Sequence, residues 1–328
     1  METNKIYIGD SLGIVKTFPD ESIDCVITSP PYYQLRDYGW TGQWGLEKTY
    51  QEYLDNLISL MSELKRVLKP TGTMWINLGD SYFGSGHGKW SKYDNGEITH
   101  KDKYYGDGRN ASVNTDWDYT IYPNKSLMLI PHRFAIRCID ELGLILRNDV
   151  IWAKRNGMPE SVTDRFSKKH EFFFFFVKQQ KYYFDLDGVR DKTIIKGIDR
   201  KGSANIQGNM TNDGLTRTTA GLSLKTIEEK NNPLGKNPGD VSDFWDIPTQ
   251  PSPDKHYATY NTDLIDKPIV AGCPEGGVIL DPFCGTGTTL ARAIQLNRQG
   301  IGIDGSEDYC KIADKRIQQE LAQFKLEL

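Results

Sequence analysis

The chain has 328 residues, 38% of them hydrophobic, which suffices for one large domain or two ordinary ones built on a real core. Its 40 Lys and Arg against 44 Asp and Glu leave a formal net charge of -4, so composition carries no general nucleic-acid signature and any such contact has to come from a local patch. The N-terminal METNKIYIGDS lacks a basic segment followed by an apolar one, and the longest apolar block, FFFFFV at 172–177, is far too short to span a bilayer, so the expectation is a cytoplasmic protein with no membrane partner.

In chain order, KIYIGD (5–10) alternates and ends at Gly-Asp, and SIDCVI (22–27) is a short apolar run; both predict strands, with LGIVKTF between them as a short helix. Residues 50–70 carry Tyr53, Leu54, Leu57, Leu60, Met61, Leu64 and Leu68 at helical spacing, and Pro70-Thr71-Gly72 is expected to end that helix. TMWINL then predicts a buried strand. Residues 81–126, rich in Gly, Ser, Asp, Tyr and Asn, lack periodicity and read as a long surface loop. SLMLIPHRFAIRCIDEL (126–142) predicts a helix broken near its start by Pro131, ILRNDVIWAK (145–154) a strand, and HEFFFFFVK (170–178) a central strand covered on both faces. From 186 to about 240 the chain is polar and glycine-rich again. GGVILDPFCGTGTTLARAIQLN (276–297) reads as strand, glycine loop and helix, followed by a strand at GIGID (300–304). Strands alternating with helices at this spacing predict an α/β fold with a doubly wound, mostly parallel sheet.

Two stretches carry chemistry. DPFCGTGTT (281–289) puts an acid at a strand end, then Gly285 and Gly287, then two threonines opening a helix, so that a ligand can approach backbone and free N–H groups. No Gly-Lys-Ser/Thr follows, and the six-residue dinucleotide fingerprint is absent. Asp304 follows Gly287 at close to the ~20-residue offset at which an acid bonds ribose hydroxyls in related sheets, which fits a nucleoside cofactor without a pyrophosphate. TSPPYY (28–33) is the second stretch. Its two prolines make a stiff, extended segment past a strand tip, where carbonyls and the Ser29 hydroxyl can accept hydrogen bonds from an amine and Tyr32 offers a flat face. The competing reading is a proline-rich turn with a core tyrosine. Five cysteines (Cys25, Cys138, Cys273, Cys284, Cys310), odd in number and without a C-x-x-C pair, argue against a disulfide framework and against a metal site.

TSPPY together with DPFCGTGTT resembles the catalytic and cofactor motifs of S-adenosylmethionine-dependent DNA amino methyltransferases, and the order of the two motifs is that of the beta class. IGDS (8–11), RNGMPESVTDRFSKKHEFFFFFVKQQKYYFD (155–185), DFWDIPTQ (243–250) and HYATYNTDLIDKPI (256–269) look like further segments of that group. A Ser-Pro-Pro-Tyr motif is typical of its cytosine-N4 members, whereas adenine-N6 enzymes usually carry Asp or Asn at the first position.

The resemblance implies a class I methyltransferase sheet, S-adenosylmethionine as methyl donor and no metal. It implies Ser29, Pro30, Pro31 and Tyr32 as the catalytic segment, with the target base flipped out of double-stranded DNA. It assigns Asp281, Phe283, Gly285, Gly287 and Thr288 to the methionine portion of the cofactor, Asp304 to its ribose, Asp10 to its adenine end, and His256, Thr259 and Asn261 to a loop over its carboxylate. The domains expected are 1–185 plus 243–328 as the catalytic unit, with 186–242 inserted for target recognition. A prokaryotic or phage protein, monomeric or homodimeric, with a cognate restriction endonuclease as a partner, follows from the same likeness. DRFSKKHE (164–171) and RDKTIIKGIDRK (190–201) concentrate positive charge that phosphates could meet, although a solvated surface or an internal ion-pair network accounts for such runs as well. The rival readings are an adenine-N6 methyltransferase, a nucleotide-dependent oxidoreductase and a non-catalytic DNA-binding module.

Overall fold

The computed structural model describes residues 1–35, 42–83, 123, 125–157, 160–189, 242–249 and 261–327. Its elements are β1 (Lys5–Ile8), α1 (Ser11–Val15), β2 (Ile23–Thr28), α2 (Tyr50–Val67), β3 (Leu68–Leu78), α3 (Ile130–Asp140), β4 (Ile145–Ala153), β5 (His170–Val177), β6 (Phe244–Asp246), α4 (Thr262–Gly272), β7 (Val278–Asp281), α5 (Thr288–Gln295), β8 (Gln299–Asp304) and α6 (Glu307–Glu327). The strands form one sheet in the order β1-β8-β7-β2-β3-β5-β4-β6. All neighbours are parallel except at β5, which runs against both β3 and β4. This is the mostly parallel α/β sheet expected, with one reversed strand.

Helices cover both faces. On one side α1, α2 and α3 bury Val15, Leu57, Leu64 and Phe134 against Val26, Met74, Phe174 and Phe176. On the other, Leu264, Ile265 and Ile269 of α4 and Ala293 of α5 pack on Cys25, Ile27, Trp75, Phe173 and Phe175. The aromatic run of β5 is thus divided by the period-two alternation of a strand, with successive phenylalanines entering opposite cores. α2 is set by its sequence: Thr49 accepts from the Glu52 amide, and Glu52 reaches back to the Thr49 amide as a capping box. All five cysteines are free and buried. Among the described residues, no helix is long and apolar enough to cross a membrane.

Two expectations change. Pro131 does not break α3 but opens it, in the first turn where its missing N–H is not needed. Pro70-Thr71-Gly72 is not what ends α2, which stops earlier, at Val67, and passes directly into β3; the three residues sit in a register shift in which β3 advances from Leu68 to Thr73 while β2 advances from Ile23 to Cys25. Pro70 is tolerated there because β5 joins β3 only from Thr73 onward, so no second neighbour calls for its N–H. Three elements carried no clear signal, namely the three-residue β6, α4 with Pro268 inside it, and α6. Most of the 81–126 and 186–242 segments, and the basic run at 190–201, lie outside the described residues. The near ends of the first segment meet in an antiparallel bridge between Tyr82 and Leu127.

Candidate active site

Parallel strands place their carboxyl ends on one edge, where β1 yields Asp10, β2 Ser29, β7 Asp281 and β8 Asp304. Chain order reverses between β7 and β2, so this edge has its switch point between the glycine loop and the proline segment. Asp281 occupies that point. It is 1% exposed; its Oδ1 accepts from the Thr28 hydroxyl at 2.7 Å and the Phe283 amide at 3.1 Å, and its Oδ2 from the Thr289 hydroxyl at 2.5 Å. The acid at the strand end therefore ties three pieces together: the tip of β2, the start of the glycine loop and the first turn of α5. Ser11 adds a fourth tie, its hydroxyl donating to the Pro282 carbonyl.

Beyond Asp281 the loop needs both of its glycines for backbone reasons. Gly285 has φ +51° and Gly287 φ +79°, the left-handed region that favours glycine. They differ in their surroundings. A Cβ on Gly285 would meet nothing within 4 Å, so the loop is bare there, whereas one on Gly287 would lie 2.9 Å from Ala313 Cβ on α6. Thr288 accepts from Arg316 Nη1 at 3.1 Å. The Asp304 carboxylate receives the Gly285 amide at 3.0 Å and the Ser306 amide at 2.9 Å, and burial pushes its pKa up in spite of those two bonds. Next to it Asp10 caps α1 through Gly13 at 2.7 Å and accepts from the Trp44 indole at 3.2 Å. Trp44 packs edge-on against Phe283 with ring centroids 5.3 Å apart. A bare glycine turn, two carboxylates on adjacent strand tips and an aromatic pair form a cradle of the kind a nucleoside-bearing group needs. Trp44, which links Asp10 to Phe283, gave no signal in the sequence because its partners lie far away along the chain.

On the other side of the switch point, Ser29 Oγ lies 3.2 Å from Asn77 Oδ1 and 3.4 Å from the Tyr32 hydroxyl. The Tyr32 hydroxyl lies 2.8 Å from both Asn77 Oδ1 and Glu171 Oε2, and Lys154 pairs with the other Glu171 oxygen. Asn77 is 1% exposed and donates its Nδ2 to the Phe172 carbonyl at 3.1 Å. Burial and the Glu171 charge raise the Tyr32 pKa well above the ordinary tyrosine value, so the phenol stays neutral. One edge of the Tyr32 ring lies on Gly79, where a Cβ would come within 2.5 Å of Cε2. The two proline carbonyls are not equivalent. Tyr53 donates to that of Pro31 at 2.8 Å, while no described side chain donates to that of Pro30. Tyr33 is a packing residue, 2% exposed and 5.5 Å from the Tyr53 ring.

The structure thus brings Ser29, Pro30, Pro31 and Tyr32 onto one strand edge with Asp10, Asp281, Phe283, Gly285, Gly287, Thr288 and Asp304. Asn261 caps α4 at the same edge and donates to the Pro248 carbonyl at 3.3 Å. His256 and Thr259 lie outside the described residues. The 164–171 run is largely an internal network: Arg165 pairs with Glu160, Lys168 donates to the Asp80 carbonyl, Lys169 to the Gly157 carbonyl, and Lys125 pairs with Asp164. No group of three or more His, Cys, Asp or Glu among the described residues could hold a metal ion.

Comparison with known proteins bears on the family and the fold. The DNA methylase family profile of N6/N4 type matches residues 23–315. The type II methyltransferase M.Cfr9I of Citrobacter freundii is 35% identical over 96% of this chain and 88% of its own length, and M.SmaI of Serratia marcescens 33% identical over 95% and 90%. Among solved structures the PvuII DNA methyltransferase (cytosine-N4-specific) superposes with a TM-score of 0.58 at 17% identity, over 97% of this chain and 91% of that one. The putative DNA modification methylase TTHA0409 from Thermus thermophilus, complexed with S-adenosyl-L-methionine, gives 0.55 at 21% identity, over 97% and 95%.

Proposed function

The chain belongs to the N6/N4 DNA methylase family, and from that premise we propose that it methylates the exocyclic N4 amine of a cytosine flipped out of double-stranded DNA, using S-adenosylmethionine. What supports this reading is the pairing of β2 with β7 at the switch point, since Ser29-Pro30, the proposed amine acceptors, and the bare glycine turn follow these two neighbouring strands. Bound in the cradle formed by Asp10, Phe283, Gly285 and Asp304, with His256, Thr259 and Asn261 assigned to its carboxylate end, the cofactor supplies an electrophilic methyl group. The protein's own residues do the rest.

An aromatic exocyclic amine is a weak nucleophile because its lone pair is delocalised into the ring. Two acceptors, Ser29 Oγ and the Pro30 carbonyl, can each take one N–H and favour a more tetrahedral nitrogen. Pro31 contributes stiffness instead, since its carbonyl is engaged by Tyr53. A face of the half-buried Tyr32 ring would be the platform for the base, its orientation held by Gly79, Asn77 and Glu171. Positioning of this kind supplies most of the acceleration, and a misplacement of about 1 Å could cost on the order of a hundredfold. Cytosine is preferred over adenine because Ser29 stands at the first position of the motif, where adenine-N6 enzymes usually carry Asp or Asn. The relatives' designation as type II methyltransferases supports a place in a restriction-modification system beside an endonuclease of matching specificity.

The test is direct. Unmethylated duplex DNA incubated with the protein and methyl-labelled S-adenosylmethionine should acquire label. Cofactor binding without transfer to any DNA would overturn the reading, and failure to bind the cofactor would remove its premise.

A further inference from the structure

The oxygens around Tyr32 hold too few protons for their contacts. Asn77 cannot donate into the cluster, because its Nδ2 is turned to the Phe172 carbonyl and so fixes Oδ1 toward Tyr32 and Ser29. Three close oxygen–oxygen contacts, Tyr32 to Asn77 at 2.8 Å, Tyr32 to Glu171 at 2.8 Å and Ser29 to Asn77 at 3.2 Å, then have only two hydroxyl protons between them. The Tyr32 proton serves one acceptor at a time. The ionised carboxylate is the stronger claimant, which leaves the phenol oxygen facing the amide oxygen without a hydrogen. A third proton, placed on Glu171 Oε2, satisfies all three oxygen contacts: Glu171 donates to Tyr32, and Tyr32 and Ser29 both donate to Asn77, while Oε1 still accepts from Lys154.

We propose that Glu171 is the proton acceptor of the reaction, reached from the target amine through Ser29 and Tyr32. The inference rests on the reading that Ser29 receives the target N–H. As the amine nitrogen takes the methyl group it carries one proton too many. That proton passes to Ser29 Oγ, the Ser29 proton to the Tyr32 oxygen 3.4 Å away, and the Tyr32 proton to Glu171 Oε2 at 2.8 Å. One N–H bond is lost and one carboxyl O–H bond gained; the positive charge on nitrogen and the negative charge on Glu171 disappear together. The charges facing Glu171 are Lys154 on β4, which pairs with its other oxygen, and Lys168 and His170 beside it. Asp80 at the end of β3 and His132 of α3 act on His170 from beyond these. The Glu171 side chain is 15% exposed, which gives the proton a route to water afterwards.

Two measurements test this. In the protein alone, infrared difference spectra on acidification should show a carboxylic acid carbonyl band that is absent in Glu171→Gln and shifted in Tyr32→Phe, because the protonated carboxyl donates to the phenol. In single-turnover methyl transfer to DNA, Glu171→Gln should be slower by tenfold or more with cofactor affinity unchanged, and should add little further loss in the Tyr32→Phe background. A wild-type rate in Glu171→Gln, independent losses in the double variant, or a band indifferent to Tyr32 would overturn the proposal. Were the wild type to methylate no DNA at all, the functional reading would fail, and the infrared result alone would decide the state of Glu171.

Discussion

The Thr28 hydroxyl donates a 2.7 Å hydrogen bond to Asp281 Oδ1, joining the last residue of β2 to the last residue of β7 across most of the chain. Both residues are 1% exposed, so water cannot replace the bond if it is broken. Thr28→Val keeps the shape and removes the donor, leaving a buried carboxylate with one hydrogen bond fewer. It should lower the unfolding free energy by about 1–3 kcal/mol in urea titrations. Asp281→Ala should cost more, because it removes the acceptor shared by the Thr28 and Thr289 hydroxyls and the Phe283 amide.

The two glycines of the loop should respond differently to alanine. Gly285→Ala meets only the backbone penalty of a left-handed residue, about 1–2 kcal/mol, since nothing lies within 4 Å of its Cβ. Gly287→Ala adds a 2.9 Å approach to Ala313 Cβ that α6 can relieve only by moving. Thermal melts should therefore rank Gly287→Ala clearly below Gly285→Ala. Equal melting points would mean that α6 is not held against the loop.

How far the sequence reveals this protein depends on the range of the interactions involved. The glycine loop and the proline segment are legible because left-handed turns and stiff extended segments require particular residues locally. The helical face of α2 is legible through the spacing of its apolar residues. The reversal of β5 is not, because an aromatic run reads alike in either direction. Asn77, Glu171 and Trp44 stay hidden since their partners are set by strand order: Glu171 meets Tyr32 only because β5 is inserted beside β3 with its amino end at the ligand edge. Glu171 lies in a segment that matches the family pattern, yet as a sequence it is indistinguishable from an ion-pair residue.

Asp304 gives a pH prediction. Burial raises its pKa in the folded protein above the 3.8 of a free carboxyl, so between the two values the unfolded chain binds fewer protons. The contribution of Asp304 to stability is thus present in full below 3.8 and is lost as pH rises through the folded value. Asp304→Asn should remove that downward step from the stability profile above pH 3.8, as measured by urea unfolding at a series of pH values. An unchanged profile would assign the step to another group.

Ser29→Ala should separate chemistry from binding. It removes one of the two proposed amine acceptors on a segment stiffened by Pro30 and Pro31 and held by Tyr53 at the Pro31 carbonyl. The rate of methyl transfer should fall by roughly 10²–10³, the scale seen when one preorganised hydrogen bond is deleted from a reacting centre. Affinity for S-adenosylmethionine should stay as it is in calorimetric titration, because the residues proposed to hold the cofactor follow β7, β8 and β1 rather than β2.

The most direct measurement is the identity of the modified base. Unmethylated DNA treated with the protein and S-adenosylmethionine, digested to nucleosides and resolved by mass spectrometry, should contain N4-methylcytosine. N6-methyladenine in its place would contradict the cytosine assignment carried by Ser29, and DNA with no added methyl group would contradict the account as a whole.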